Sequence, residues 1–433
     1  MSMSDKPLRV GLAGLGTVGA GLVKLLAENA ELVSRRANRP VVITAVSARD
    51  RTRDRGIDLS GFGWEDNAVD LAARDDVDTV VELIGGADGP ALALAKATLS
   101  AGKGFVTANK AMLAHHGMEL AALAEARNAP LKFEAAVAGG IPVIKGMRDG
   151  LSGNRVQAVY GILNGTCNFI LSAMEREGKP FDEVLKEAQA LGYAEADPTF
   201  DIDGIDAAHK LSILSSLAFG TKINFAGVST CGIRNVASAD IDYARVLGYR
   251  IRLIGMAHQE DGGLFQRVHP CLVPVSHPLA NVTDSLNAVV AEGNYVGRLL
   301  FQGRGAGEGP TASAVAADLV DVARGEFGPA FSMPAARLAD VPAADPASHV
   351  GRYYIRLTVA DRPGVLAELT AILRDLSVSV ESLIQRGSAP DGSVYFVLTT
   401  HEGPQQAVTE ALARIAALDS VTSAPVMMHI LDF

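Results

Sequence analysis

Two lysines carry the clearest chemical possibilities in this sequence. Gly204-Ile-Asp-Ala-Ala-His-Lys210 opens a segment with helical spacing, and Asp206 and Lys210, four positions apart, share one face of such a helix. The largely apolar stretch 211–219 follows at once. It implies a buried helix, in which charges need partners or work to do. Upstream, Glu195, Asp197, Asp201 and Asp203 gather on an apparent loop. An isolated Asp/Lys pair of this spacing is ordinarily a solvated surface pair, and the implied burial sets this one apart. The second lysine, Lys110, follows Phe105-Val-Thr-Ala-Asn109 at the carboxyl end of a predicted strand. Open α/β sheets bind their ligands at such strand ends, although a helix N-terminal lysine needs no function.

A second constellation is built from glycines. Val10-Gly-Leu-Ala-Gly-Leu-Gly-Thr-Val-Gly19 contains G-x-G-x-x-G as Gly14, Gly16 and Gly19. It leaves a predicted strand and opens a predicted helix, the context a dinucleotide site requires. The first glycine makes the turn, the second admits the pyrophosphate, and the third permits close helix–strand packing. Thr17 and Val18 lie in the helix's first turn, whose free N–H groups attract an anion. The next predicted strand ends in Ser47-Ala48-Arg49-Asp50. An acid at the strand end would hold the ribose hydroxyls of NAD, whereas Ala48 followed by Arg49 suits a 2′-phosphate. NADP(H) is therefore the preferred cofactor and NAD(H) the alternative, with Arg49 as a solvated loop residue the plain reading.

Other chemistries find little support. His115 and His116 are adjacent while His269, His277 and His401 stand singly, without zinc or iron spacing. No G-x-S-x-G occurs to mark a serine nucleophile.

The elements that must position these residues follow from hydropathy. Residues 8–12, 41–46, 79–84 and 105–107 read as strands, alternating with helices at 18–29, 91–100 and 110–128, which means parallel βαβ units. Residues 1–138 thus form a Rossmann-type domain. Residues 139–304 mix a strand (155–163), helices (181–191, 204–219) and later sheet (252–257, 265–274) in an α+β domain. Residues 311–324 show helical spacing and return to the first domain, completing it with about 305–327. A linker at 328–350 carries Pro329, Pro334, Pro342 and Pro346 without a sustained period. Residues 351–433 read as β-α-β-β-α-β, the ferredoxin-like split motif.

Composition bounds the function. Of 433 residues, 48% are apolar and 20% charged, so each domain buries a core and wholesale disorder is excluded. The net charge of −10 without a basic block disfavours nucleic acid and anionic membranes as partners. Cys167, Cys231 and Cys271 are far apart, which fits a reducing cytoplasm rather than a disulfide framework. No apolar stretch approaches the roughly 18 residues of a membrane span.

With these residues assembled, the chain resembles the homoserine dehydrogenases of the long form, which carry a C-terminal ACT domain. The resemblance covers essentially the whole chain. It rests on the glycine motif, Val106-Thr-Ala-Asn-Lys-Ala111, Asn164-Gly-Thr-Cys-Asn-Phe-Ile-Leu171, Gly192-Tyr-Ala-Glu-Ala-Asp-Pro198, Asp201-Ile-Asp-Gly-Ile-Asp-Ala-Ala-His-Lys210 and Gly303-Arg-Gly-Ala-Gly-Glu-Gly-Pro-Thr311. Bifunctional forms of that family begin with an aspartate kinase domain. Here the dinucleotide fold starts within ten residues, and no kinase is expected.

The resemblance implies reversible hydride transfer between L-homoserine and L-aspartate 4-semialdehyde, in threonine, methionine and isoleucine biosynthesis. It implies that Lys210 moves the proton at the alcohol oxygen, with Lys110 a second lysine near cofactor and substrate. It assigns Glu195, Asp206 and Asp201 to the substrate, and Gly192 and Gly309 to the cofactor. It also implies a structural sodium ion on Glu134 and the carbonyls of Val137, Gly139 and Ile141; such an oxygen set suits a hard cation. Aldehyde reduction needs alkoxide stabilisation and a proton source. A lysine supplies both, provided burial or a cationic neighbour such as Lys110 lowers its pKa from about 10.4.

In the C-terminal unit, Val359-Ala-Asp361-Arg-Pro-Gly364 resembles the ligand turn of ACT domains, with Asp361 and Gly364 as effector contacts. L-threonine is the implied feedback inhibitor and a homodimer or homotetramer the implied assembly. Two alternatives are an ACT-bearing 2-hydroxyacid dehydrogenase, which needs a His/acid pair not found in a matching context, and a non-enzymatic NAD(P)-sensing regulator. The regulator leaves the acid–lysine cluster unexplained.

Overall fold

A computed structural model describes residues 6–260, 262–388 and 392–432. Six strands, β1 (Leu8–Ala13), β2 (Val41–Ser47), β3 (Gly63–Glu65), β4 (Thr79–Glu82), β5 (Gly104–Thr107) and β6 (Leu131–Lys132), form a sheet ordered β3-β2-β1-β4-β5-β6. Every pairing in it is parallel. Strands buried on both faces read as continuous apolar runs, and Val10, Leu12, Val80, Val81, Phe105 and Val106 are all fully buried. The strand order reverses between β1 and β4, and a ligand crevice opens at the carboxyl ends of strands at such a point.

Helix Glu308–Arg324 packs on helix Thr17–Glu28, with Leu22, Val315 and Leu319 in one core cluster. Gly21 permits the approach, since a Cβ there would lie 2.5 Å from Glu308 Cγ. A segment almost 300 residues later in sequence thus closes the helical layer over this sheet.

The second sheet uses β7 (Val156–Ile162), β8 (Ser229–Thr230), β9 (Tyr249–Glu260), β10 (Gly263–Pro274), β11 (Leu286–Gly293), β12 (Gly297–Arg304), β13 (Val350–Val359), β14 (Val380–Ser388), β15 (Val394–Thr400), β16 (Gly403–Pro404) and β17 (Val426–Ile430). Its order is β12-β11-β7-β9-β10-β17-β13-β15-β14, with β8 beside β10 and β16 beside β13. Helix Ile205–Phe219 lies on β7 and β9 and also touches helix Lys110–Ala126, so the two lysine-bearing helices are neighbours. Residues 206–217 are buried throughout, as the apolar run requires.

The C-terminal strands and helices Val365–Asp375 and Gln405–Ala416 follow the split β-α-β-β-α-β order around a core of their own that includes Leu357, Leu369, Val408 and Ile415. This unit is not freely tethered, as a structureless linker would suggest. Strand β17 pairs in parallel with β10 at Cys271↔His429 and Leu272↔Ile430. Arg356 Nε and Tyr354 Oη both donate to the fully buried Asp240 Oδ1, at 2.6 and 2.9 Å. The proline-rich segment is itself fastened. Thr221↔Ala339 and Leu264↔Ala343 form isolated bridges, and the Phe331 ring lies 5.0 Å from Phe133. Proline spacing conceals these extended, singly bridged contacts because they have no sustained period.

Candidate active site

The crevice at the β1/β4 reversal has a volume of about 770 Å³, and Gly14, Gly16, Ala48 and Arg49 line it. Gly14 adopts φ +100, and a Cβ there would meet the Leu83 carbonyl at 2.5 Å; a Cβ on Gly19 would meet the Gly14 carbonyl at 2.1 Å. At Gly16 the space is open, which leaves the backbone accessible to an anion. Thr17 and Val18 form the first turn of helix Thr17–Glu28, and Gly309 lies in the first turn of Glu308–Arg324. Arg53 and Arg55 join Arg49 at the rim. Asp50 Oδ1 is turned back on its own loop, accepting from Thr52 N and Oγ1 at 2.8 and 2.7 Å.

One wall of the crevice leads to Lys110. Glu82, fully buried at the end of β4, accepts from the N–H groups of Ile84 and Gly85 at 2.7 and 2.9 Å and from Thr107 Oγ1 at 2.6 Å. Asn109 donates to the Gly86 carbonyl at 2.7 Å while capping the helix of Lys110 through Met112 N at 3.0 Å. Thr-Ala-Asn-Lys is therefore a strand end and helix cap that fixes where Lys110 begins.

At the centre stands Asp206. Its Oδ2 accepts from Lys210 Nζ at 2.7 Å and from Asn164 Nδ2 at 2.9 Å, and its Oδ1 lies 3.0 Å from Lys110 Nζ. Lys210 also donates to the Leu163 carbonyl at 2.7 Å. Two of its three ammonium protons are thus committed, and the third remains for a ligand. The same Asn164 amide donates to Asp201 Oδ1 at 2.8 Å, and Thr166 Oγ1 lies 3.2 Å from Asp201 Oδ2. One third (33%) of the Lys110 side chain meets solvent against 11% for Lys210, so Lys110 is the more accessible of the two. Glu195 lies on the exposed loop beyond, its backbone carbonyl held by Gln189 Nε2 at 3.0 Å. Gly192, with φ +77, turns the chain into that loop.

The charges are coupled. Burial alone would raise the Asp206 carboxyl, but Lys210 and Lys110 outweigh it and hold the group well below the usual range. Asp206 in turn holds the Lys110 ammonium above its ordinary value against burial, with smaller help from Asp201 and Glu195. Burial and the neighbouring Asp206 push Asp201 upward. Burial pushes His209 down to about 4, so the ring stacked 4.3 Å from Phe225 is neutral at pH 7. The Asp206 carboxylate thus stands between the two cations. Both Asp206 oxygens face lysines, Oδ2 towards Lys210 and Oδ1 towards Lys110.

Family profiles described as "Homoserine dehydrogenase, NAD binding domain", "Homoserine dehydrogenase" and "ACT domain" match residues 14–134, 142–320 and 353–417. A homoserine dehydrogenase of Neisseria gonorrhoeae is 47% identical over 424 residues, covering 96% of this chain and 97% of that protein. The chain belongs to the homoserine dehydrogenase family. Among solved family members, the homoserine dehydrogenase of Thiobacillus denitrificans superposes with a TM-score of 0.94 at 45% identity, covering 99% of both chains. A hyperthermophilic archaeal homoserine dehydrogenase in complex with NADPH is 26% identical with a TM-score of 0.64, covering 75% of this chain and all (100%) of that one. As a homoserine dehydrogenase, the chain is an oxidoreductase acting on a CH–OH group with NAD(P).

Two further sets of residues expected from the family have definite places. Glu134 is buried, and its carboxylate accepts from Ile144 N at 2.9 Å and Lys145 N at 2.8 Å. The turn Val137, Gly139, Ile141 is pressed against the Gly303–Pro310 loop, where Gly140 N donates to the Arg304 carbonyl at 3.2 Å. Burial and the Glu134 charge push neighbouring Asp318 up to about 7. Asp361 and Gly364 are exposed, Gly364 with φ +95 at the N-terminus of helix Val365–Asp375. Glu82, Thr107, Asn109, Asn164 and Thr166 were not singled out in the sequence. The signal for Asn109 was its place before a predicted helix, whereas Asn164 caps helix Gly165–Glu177, a segment not read as helical from its sequence.

Proposed function

We propose that the chain interconverts L-aspartate 4-semialdehyde and L-homoserine, with Lys210 as the proton donor to the substrate oxygen. The carrying observation is the Asp206 carboxylate between Lys210 and Lys110 at 2.7 and 3.0 Å. It keeps two ammonium groups side by side, where they stabilise a developing alkoxide. An alkoxide is far more basic than an amine, so a lysine ammonium beside it hands over a proton readily. Bound NAD(P)H supplies the hydride. Glu195 and Asp201 are assigned to the substrate ammonium, and Asp206 acts on the substrate through the lysines it aligns.

NADP(H) is the preferred cofactor. Supporting this, Arg49, Arg53 and Arg55 line the crevice, while Asp50 is engaged by Thr52. Gly14, Gly16, Thr17, Val18, Gly19, Ala48, Gly192 and Gly309 complete its binding surface. A sodium ion on Glu134 and the carbonyls of Val137, Gly139 and Ile141 fits the oxygen-only donor set and the crowding of buried carboxylates at Glu134 and Asp318. It would fasten the turn to the 303–310 loop and take no part in chemistry. L-Threonine is the proposed effector at Asp361 and Gly364, in a cytoplasmic homodimer or homotetramer serving threonine, methionine and isoleucine synthesis. No helix among the described residues is long and apolar enough to cross a membrane.

The test is decay of NADPH absorbance on adding L-aspartate 4-semialdehyde. A purified chain that binds NADPH and turns over no aldehyde would overturn the reading.

A further inference from the structure

A cluster remote in sequence from both lysines forms where the proline-rich segment meets the second sheet. His258 and Glu260 end β9, while His349 immediately precedes β13. Glu260 Oε1 lies 2.9 Å from His258 Nε2 and 3.1 Å from His349 Nδ1, and the three donor atoms fall within 4.8 Å of one another. The three side chains keep only 18%, 22% and 11% of their surface, so their orientations are fixed by packing. The Phe265 ring stacks on His349 with centroids 4.4 Å apart and lies 4.8 Å from His258.

We propose that His258, Glu260 and His349 form a binding site for a zinc-type divalent ion, which pins the end of the interdomain segment to the catalytic sheet. Two imidazoles and a carboxylate are the three-ligand set that holds zinc with its fourth position open to water. Calcium and magnesium instead favour all-oxygen shells. Tetrahedral zinc with bonds of about 2.0–2.2 Å wants its donors roughly 3.3 Å apart, and the two separations to Glu260 are close to that value. Arg267 is buried nearby and adds a like charge, which Glu260 offsets.

Spacing gave no warning of this site. His258-x-Glu260 on a strand places both side chains on one face, but His349 is 89 residues beyond Glu260 in sequence. Bridges from Leu264 N to the Pro342 carbonyl (2.9 Å) and Ala344 N to the Leu264 carbonyl (3.0 Å) bring the segment alongside.

The experiment titrates metal-free full-length protein with zinc by calorimetry and with cobalt(II) by visible absorption. One equivalent should bind, with the intense d–d bands of a four-coordinate site, and the melting temperature should rise. His349→Ala and Glu260→Gln should each weaken binding by more than about 10–100-fold, the loss that mere outer-shell partners cause. A folded His349→Ala protein that binds zinc unchanged would place the ion elsewhere. Wild-type protein that binds no zinc and no cobalt would leave Glu260 simply accepting hydrogen bonds from two histidines. Either result sinks the proposal without touching the dehydrogenase reading, because aldehyde turnover is measured separately.

Discussion

Lys210 lies one helical turn beyond Asp206 and donates to it at 2.7 Å, so a single backbone segment sets both the charge and its aim. Replacing Lys210 with Ala removes the proton donor and leaves Asp206 paired to Lys110. The expected outcome is a kcat lower by about 10²–10⁴ with NADPH binding retained, checked by steady-state kinetics and cofactor fluorescence. Near-normal kcat would remove the assignment.

Asp206 itself governs acid stability. Its carboxyl is held below the unfolded value of about 3.9. Its contribution is therefore complete above that pH and lost as pH falls towards the folded value. Lys110 behaves oppositely: its raised pKa gives stability below about 10.4 that disappears as pH rises through the folded value. Asp206→Ala should cost about 3–5 kcal/mol near neutrality, at the low end because Lys110 keeps contact with water. The cost should shrink between about pH 5 and 2. Urea midpoints measured against pH for both proteins decide this.

Glu195 sits on the exposed loop and is free to meet a substrate ammonium. Glu195→Gln should raise KM for homoserine several-fold while NADPH affinity stays the same. A collapse of NADPH affinity would move the residue to the cofactor site.

Arg49 lines the crevice beside Ala48. Arg49→Ala should weaken NADPH more than NADH, by about 1.5–3 kcal/mol for the lost charge-assisted contact. Equal losses for both cofactors would contradict the proposed preference.

Control by L-threonine is best probed at a point. Deleting the chain beyond residue 328, the obvious experiment from sequence, would also strip β17 from β10 and Arg356 from Asp240. Asp361→Ala leaves those contacts in place. It should keep the uninhibited rate and require a much higher threonine concentration for inhibition. Unchanged wild-type rates at millimolar threonine would remove the effector claim.

Much of this architecture was legible because its signals are local. The glycine turn, each strand or helix of the alternation through 8–107 and the run after Lys210 lie within a dozen residues. What was illegible depends on distance. Asp206 bridging Lys110 joins positions 96 residues apart, and no spacing rule brings them together. Helix Ala30–Ala37 escaped because only Asn29 separates it from the helix before it, and Ser238–Val246 and the β11–β12 hairpin because polar residues and glycines blur their periods. Glu82 escaped for another reason: a lone acid at a strand end looks solvent-bound until the Ile84 and Gly85 N–H groups close on it.

The β10–β17 pairing also has a consequence for biogenesis. Strand β17 is the last strand in chain order, so during synthesis from the N-terminus the catalytic sheet exists before its neighbour does. Until residues 426–430 emerge, β10 leaves the backbone groups about Cys271 and Leu272 without their partner strand, the kind of border that recruits other chains. The C-terminal unit thus acts as a late-arriving selvedge: nascent chains that stall before it are the population in which misassembly should concentrate.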